Sequence, residues 1–295
     1  MRKLLSILAI PVLAAACTAA GSTGAPGTSG APGTGGPAGH HYTVETAPDK
    51  QILRLTNEGG FVAPGYLLTA VPQFALFGDG RVVVPGPVDA MYPGPLLPNL
   101  RQIHITGDEI QKIVAAADAA GLLGPNANYN ATNIADAGTA VFTTTVDGRT
   151  HVISAYALFE SGTTDDQTAT AARAKLLDFQ DKILDLSKFL GRTIGDEAYQ
   201  PTAMRIFARL ASADQSGLTP QVVNWPLAKD PMTAGQPTTT APDTRCLAID
   251  GADLTTFLTI ANTANAITVW VAPSGRLNIS VRPLYPNESG CASAG

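Results

Sequence analysis

Residues 139–158 read Thr139-Ala140-Val141-Phe142-Thr143-Thr144-Thr145-Val146-Asp147-Gly148-Arg149-Thr150-His151-Val152-Ile153-Ser154-Ala155-Tyr156-Ala157-Leu158. Two strand-like runs flank Asp147-Gly148, and Asp-Gly supplies the positive φ that a tight hairpin turn requires. Thr139–Val146 and Thr150–Leu158 are therefore expected to pair antiparallel. The same signal recurs on both sides of this stretch. Phe74–Phe77 and Arg81–Val84 flank Gly78-Asp79-Gly80, and Ile267–Ala272 and Leu277–Val281 flank Pro273-Ser274-Gly275. Gln51–Thr56, Met204–Leu210 and Gln221–Trp225 read as further strands.

Helices separate these hairpins. Thr106-Gly107-Asp108-Glu109 is a capping box, with Thr at the cap and Glu three residues later. Ile110, Ile113, Val114 and Ala117 continue it as an apolar stripe, and Gly121 or Gly124 stops it. A longer helix is expected from Thr168 to Leu190, carrying Leu176, Leu177, Ile183, Leu184, Phe189 and Leu190. Asp250 or Asp253 caps a short one bearing Leu254, Phe257, Leu258 and Ile260. Pro85–Pro98 and Ala228–Thr244 are rich in Pro, Gly or Thr and read as irregular loops. The expected fold class is α+β, with mostly antiparallel hairpins packed with helices. Gly148-Arg149, Ile153-Ser154 and Leu158 are echoed by Gly275-Arg276, Ile279-Ser280 and Leu284, which suggests two related lobes.

The N-terminus has a different logic. Arg2 and Lys3 precede an apolar run from Leu4 to Ala16, too short to span a bilayer, which takes about 20 residues. Leu13-Ala14-Ala15-Ala16-Cys17 follows, then a Gly/Pro/Ser/Thr/Ala tract. This arrangement resembles the signal peptide of a bacterial lipoprotein, with Ala14 where that family usually carries Leu. The resemblance implies cleavage before Cys17 and a diacylglycerol on its thiol, the address of a palmitate-bearing lipoprotein. Ordinary secretion with cleavage near Ala16 is the alternative. Two acyl chains suffice for stable anchoring where one does not. Thr18–His41 cannot bury a core and is expected to be a flexible spacer of about 25–30 Å reach.

The organisation expected is a signal peptide over 1–16, a lipidated Cys and linker over 17–41, a first α+β lobe over 42–195 and a second over 196–295. The first lobe resembles uncharacterised bacterial secreted proteins through Gly78-Asp79-Gly80, Thr106–Glu109 and Asp136-Ala137-Gly138-Thr139, over residues 51–190 at most. That resemblance implies no activity and no functional residue.

Formal net charge is -5, and loss of Arg2 and Lys3 takes the mature chain to -7. An acidic body argues against nucleic-acid binding and against adhesion to anionic lipid heads. Of three cysteines, Cys17 goes to lipid. Cys246 and Cys291 are then an even remainder outside the cytoplasm, which implies a disulfide. It would close a loop of 46 residues, counted from Cys246 through Cys291.

Catalytic equipment is sparse. Outside the spacer the only histidines are His104 and His151. A triad of His151, Asp136 and Ser154 can be written, but Ser154 sits within a strand and lacks the Gly-x-Ser-x-Gly elbow. Asp108-Glu109, Asp165-Asp166 and Asp196-Glu197 are adjacent carboxylates, which seldom face each other across a cleft as acid–base chemistry needs. His40-His41 has no further metal ligand nearby, and no cofactor motif is present. Phe61, Tyr66, Tyr92, Trp225, Trp270 and Tyr285 are expected to pack in the core, with anchoring of a partner or glycan the alternative for any that is exposed; Trp270 alternates with Val269 and Val271, so one side of that strand is expected to be partly wet. The expectation is a lipid-anchored extracytoplasmic protein without catalytic residues, serving binding or envelope assembly. An envelope hydrolase or carbohydrate-active enzyme, and a structural envelope component, are the alternatives.

Overall fold

The structure is a computed structural model and describes residues 40–212 and 217–291. Cys17, the signal peptide and most of the spacer lie outside the described residues. The chain divides into two units, residues 1–40 and 41–295, and the fold that follows is that of the second.

Chain order begins β1 (Gln51–Gly59), α1 (Pro64–Thr69), β2 (Phe74–Phe77), β3 (Arg81–Pro85), β4 (Leu100–His104) and α2 (Gly107–Ala119). It continues β5 (Ala127–Asn128), β6 (Gly138–Val146), β7 (Arg149–Tyr156), α3 (Gln167–Leu184), α4 (Leu186–Leu190) and β8 (Glu197–Ala198). The rest is β9 (Ala203–Leu210), β10 (Val222–Asn224), α5 (Pro231–Ala234), β11 (Gln236–Pro237), β12 (Arg245–Asp250), α6 (Gly251–Ala261), β13 (Val269–Ala272) and β14 (Gly275–Pro283). The fold is α+β. An eight-stranded sheet runs β5-β7-β6-β1-β2-β3-β4-β8, and a six-stranded one runs β10-β13-β14-β9-β12-β11. All neighbours are antiparallel except β5–β7 and β10–β13, so both sheets are mixed.

The β6–β7 hairpin forms as expected, with Val146 opposite Arg149, and β7 ends at Tyr156, short of the expected Leu158. Asp147 (φ 51°) and Gly148 (φ 69°) make the turn. Burial alternates residue by residue along β6, the signature of a strand with one face in the core. Gly78-Asp79-Gly80 turns β2 into β3, and its first glycine answers to something other than φ. A Cβ there would lie 2.1 Å from the Glu45 carbonyl oxygen. The incoming chain is pinned nearby, because the Gln111 side chain bonds both the N–H and the carbonyl of Tyr42 at 2.9 Å.

α2 begins with the capping box read from sequence: Glu109 Oε2 accepts from Thr106 N at 2.8 Å and Thr106 Oγ1 from Glu109 N at 3.3 Å. Its buried residues are Ile110, Ile113, Val114 and Ala117. The single long helix expected over 168–190 is instead α3 and α4. Asp185 leaves the helical conformation and its side chain accepts from Lys188 N, capping the second piece. The buried stripe of α3 is Ala169, Arg173, Leu176, Phe179 and Ile183. Leu177 and Leu184 fall off that stripe and are exposed.

α2 and α3 cover one face of the first sheet, packing on Leu53, Leu55, Phe74, Leu76 and Phe142. Its other face carries Ala75, Phe77, Val83 and Leu100 against Tyr199 and Tyr285 from the second half of the chain. Phe77, Tyr199 and Tyr285 meet edge to face. The 85–98 loop joins the halves again, since Leu96 enters the second core and its N–H donates to Ala264 O at 3.0 Å.

α6 covers the second sheet with Leu254, Phe257 and Ala261. Trp270 is fully buried there, stacked on Phe257 at 5.4 Å, so it packs in the core as expected, while Val271 on the other face of β13 is 38% exposed. The loop expected over 228–244 also contains α5 and β11. Both halves run helix then hairpin, but the hairpins dock the opposite way round. The first strand of the earlier hairpin joins β1, whereas the second strand of the later one joins β9. The Gly-Arg and Ile-Ser echoes are thus matches of local sequence at different places in the two sheets.

Candidate functional site

The residues weighed for catalysis are scattered and already engaged. His151 donates from Nδ1 to the Gly124 carbonyl at 2.8 Å. Ser154 Oγ donates to Asn128 Oδ1. Three positions apart on β7, the two side chains point to opposite faces. Asp136 sits in the turn before β6 at φ 58°. His104 lies 3.6 Å from Glu197 Oε1 and 3.0 Å from Gln102 Nε2, with both His104 and Glu197 more than half exposed at a sheet edge.

One carboxylate of each adjacent pair has a structural role. Arg192 holds Glu109 at 2.5 and 2.9 Å; that ion pair, reinforced by bonds from Thr106 and opposed by burial, brings its pKa down to about 2. Asp166 caps α3 through Thr168 N at 2.8 Å. Asp196 pairs with Arg101 at 2.7 Å. Among the described residues no group of three His, Cys, Asp or Glu is placed to hold a metal ion.

Cys246 and Cys291 form a disulfide with Cα atoms 6.0 Å apart. It points to an oxidising, extracytoplasmic location. No helix among the described residues is long and apolar enough to cross a membrane. The bridge packs with Leu68 and Phe207. Beside it the tail is held by Glu288, bidentate to Arg282 at 2.7 Å for both bonds, and by Arg205 Nε donating to Gly290 O at 2.6 Å. Arg282 Nε also donates to Ala70 O at 2.9 Å, fastening the end of α1 to β14.

These contacts build the walls of a groove. The face of the second sheet opposite α6 is covered at one end by the tail, the disulfide and α1. The rest is open, with a cavity volume of about 1170 Å³. Register sets its floor. Arg209 on β9 lies opposite Asn278 on β14, and Asn278 opposite Val269 on β13. Arg276 and Ser280 flank Asn278 on the same face of β14 by alternation. α1 contributes Tyr66 to the lining and the 85–98 loop contributes Tyr92; the 240–244 segment and Leu218 complete it. Asp243 is the one carboxylate among its described lining residues.

The aromatics singled out from sequence divide cleanly. Trp225, Trp270 and Tyr285 are core. Tyr66 is 61% exposed, Tyr92 64% and Phe61 91%. Tyr66 and Tyr92 line the groove, and Phe61 belongs to the loop leading into α1. Arg209 and Arg276 were missed by the sequence reading. Their signal was the alternation Arg276-Leu277-Asn278-Ile279-Ser280-Val281, which sets a polar row against an apolar one.

Scans against protein-family models, curated proteins and solved structures each find no match for this chain.

Proposed function

We propose that this protein is a lipid-anchored, extracytoplasmic binding module that holds its ligand in the groove of the second sheet and performs no chemistry on it. The groove carries the reading. It is open, it presents exposed aromatic rings above a floor bearing Arg209, Arg276, Asn278 and Ser280, and its described lining brings no nucleophile and base together. The Cys246–Cys291 bridge supports an oxidising compartment, and the Leu13–Cys17 sequence with the Gly/Pro/Ser/Thr/Ala tract after it supports a diacyl tether at Cys17. The two sheet-and-helix halves are read as lobes of one body. A glycoside hydrolase would need two carboxylates across the site, and the described lining supplies Asp243 alone.

Radiolabelled palmitate should enter the wild type and not Cys17→Ala, and Cys17→Ala should leave the membrane fraction. An unlabelled wild type refutes the anchor. A photo-crosslinking side chain at position 92 should give discrete adducts on intact cells, and the same group at position 255 on α6 should give none. Equal adducts at both positions, or none at either, refute the groove.

A further inference from the structure

We infer that the groove takes an acidic oligosaccharide, with its carboxylates held by Arg209 and Arg276 and its rings against Tyr66 and Tyr92; this rests on the binding-module reading above.

The two guanidinium groups are the first reason. Arg276 is two positions along β14 from Asn278, which pairs with Arg209, so the arginines are diagonal neighbours, roughly 7–8 Å apart at the backbone. Neither guanidinium forms an ion pair or hydrogen bond with a described residue, whereas those of Arg81, Arg101, Arg192 and Arg282 each meet a carboxylate. Two like charges side by side repel, and an anion between them relieves that repulsion. The planar guanidinium fork matches a carboxylate through two parallel bonds. On a chain of net charge -5, the pair is a local exception that fits an anionic ligand.

The floor is the second reason. It is the face of a sheet, whose main-chain groups are consumed in the β9–β14–β13 ladders. An extended peptide recognised by strand addition needs a free edge, and this surface offers none. What remains are side chains: Phe207 and Val269, the Asn278 amide, whose Oδ1 accepts from Ser212 N at 3.3 Å, the Ser280 hydroxyl and the two guanidinium groups. Such a set suits a ligand covered in hydroxyl groups. Exposed Tyr66 and Tyr92 add flat apolar faces with a polar tip, against which the C–H face of a sugar ring can lie. The volume of about 1170 Å³ exceeds the roughly 300–1,000 Å³ of a site for one small molecule, which favours an oligomer.

The full chain, solubilised in detergent, is titrated by calorimetry with hexasaccharides of galacturonate, mannuronate and alternating glucuronate, with their methyl esters, and with hexaglutamate. At least one acidic hexasaccharide should bind, its methyl ester should not, and binding should weaken with added salt. Arg209→Gln and Arg276→Gln should each weaken it about tenfold, and Tyr66→Ala and Tyr92→Ala severalfold. Hexaglutamate binding as tightly as the best sugar, with no effect of the tyrosine substitutions, overturns the saccharide in favour of an acidic peptide. If no acidic sugar binds while position 92 still crosslinks on cells, the saccharide inference falls and the groove stands. If neither happens, the binding-module reading falls with it.

Discussion

Replacing Cys246 and Cys291 together by alanine separates what the disulfide does from what the rest of the tail does. The bridge joins residues 45 positions apart, so releasing it returns loop-closure entropy to the unfolded chain worth about 4 kcal/mol. The folded tail has other attachments: Glu288 on Arg282, Gly290 O on Arg205 and Leu284 O on the Tyr199 hydroxyl at 2.8 Å. The native tail should therefore stay docked, and the cost should fall on the unfolded state. Removing sulfur from a site where Cys246 is 2% exposed adds a small void worth about 1 kcal/mol. The expected total is about 4–5 kcal/mol, which lowers Tm by roughly 10–15 °C in a body of this size. Urea unfolding followed by Trp225 and Trp270 fluorescence measures it directly. Reductant should bring the wild type down close to the variant and leave the variant unchanged. A loss under about 1 kcal/mol refutes the reasoning, because it would mean that the unfolded chain is restricted even without the bridge.

Arg173 is 5% exposed and donates to four carbonyls, those of Tyr129, Tyr156, Ala157 and Gly162, at 2.7–2.8 Å. Arg173→Met should cost about 4 kcal/mol in urea unfolding, and Arg173→Lys should recover less than half, because one ammonium cannot span four acceptors. Glu109 has a folded pKa of about 2 against an ordinary 4.5. Its stabilisation is complete above about pH 4.5 and is lost as pH falls towards 2, so Glu109→Gln should flatten that part of the stability–pH curve; an unchanged slope counts against the Arg192 pair. Arg209→Gln and Arg276→Gln should leave unfolding stability within about 0.5 kcal/mol of wild type. A larger loss would make these arginines structural and would undercut their role as ligand contacts.

Hairpins and caps were legible because their chemistry is local. Asp147-Gly148 and Thr106–Glu109 specify their geometry within four residues, and the structure repeats them residue for residue. The long helix expected over 168–190 was not legible in the same way. Asp185 breaks the long helix by capping Lys188, a choice that helical periodicity cannot distinguish from continuation. β12 runs straight into α6 and carries no hairpin signal, since it pairs with β9 across the 211–244 segment.

Arg205 and Arg209 show why the candidate site was harder to read than the fold. They occupy the same face of the same strand and follow the same alternation. Arg205 is 2% exposed and bonded to the tail; Arg209 lies open and has no such bond among the described residues. The difference comes from residues far away in sequence. The tail, tied down by Glu288 and Cys291, and α1, tied down by Ala70, cover one end of that face and stop before Arg209. The groove is the part of the sheet they leave bare, so its position is set by the reach of two covering segments. Sequence could mark Arg209, Arg276 and Asn278 as outward-facing; only the ladder register and the limits of that cover bring them together with Tyr66 and Tyr92.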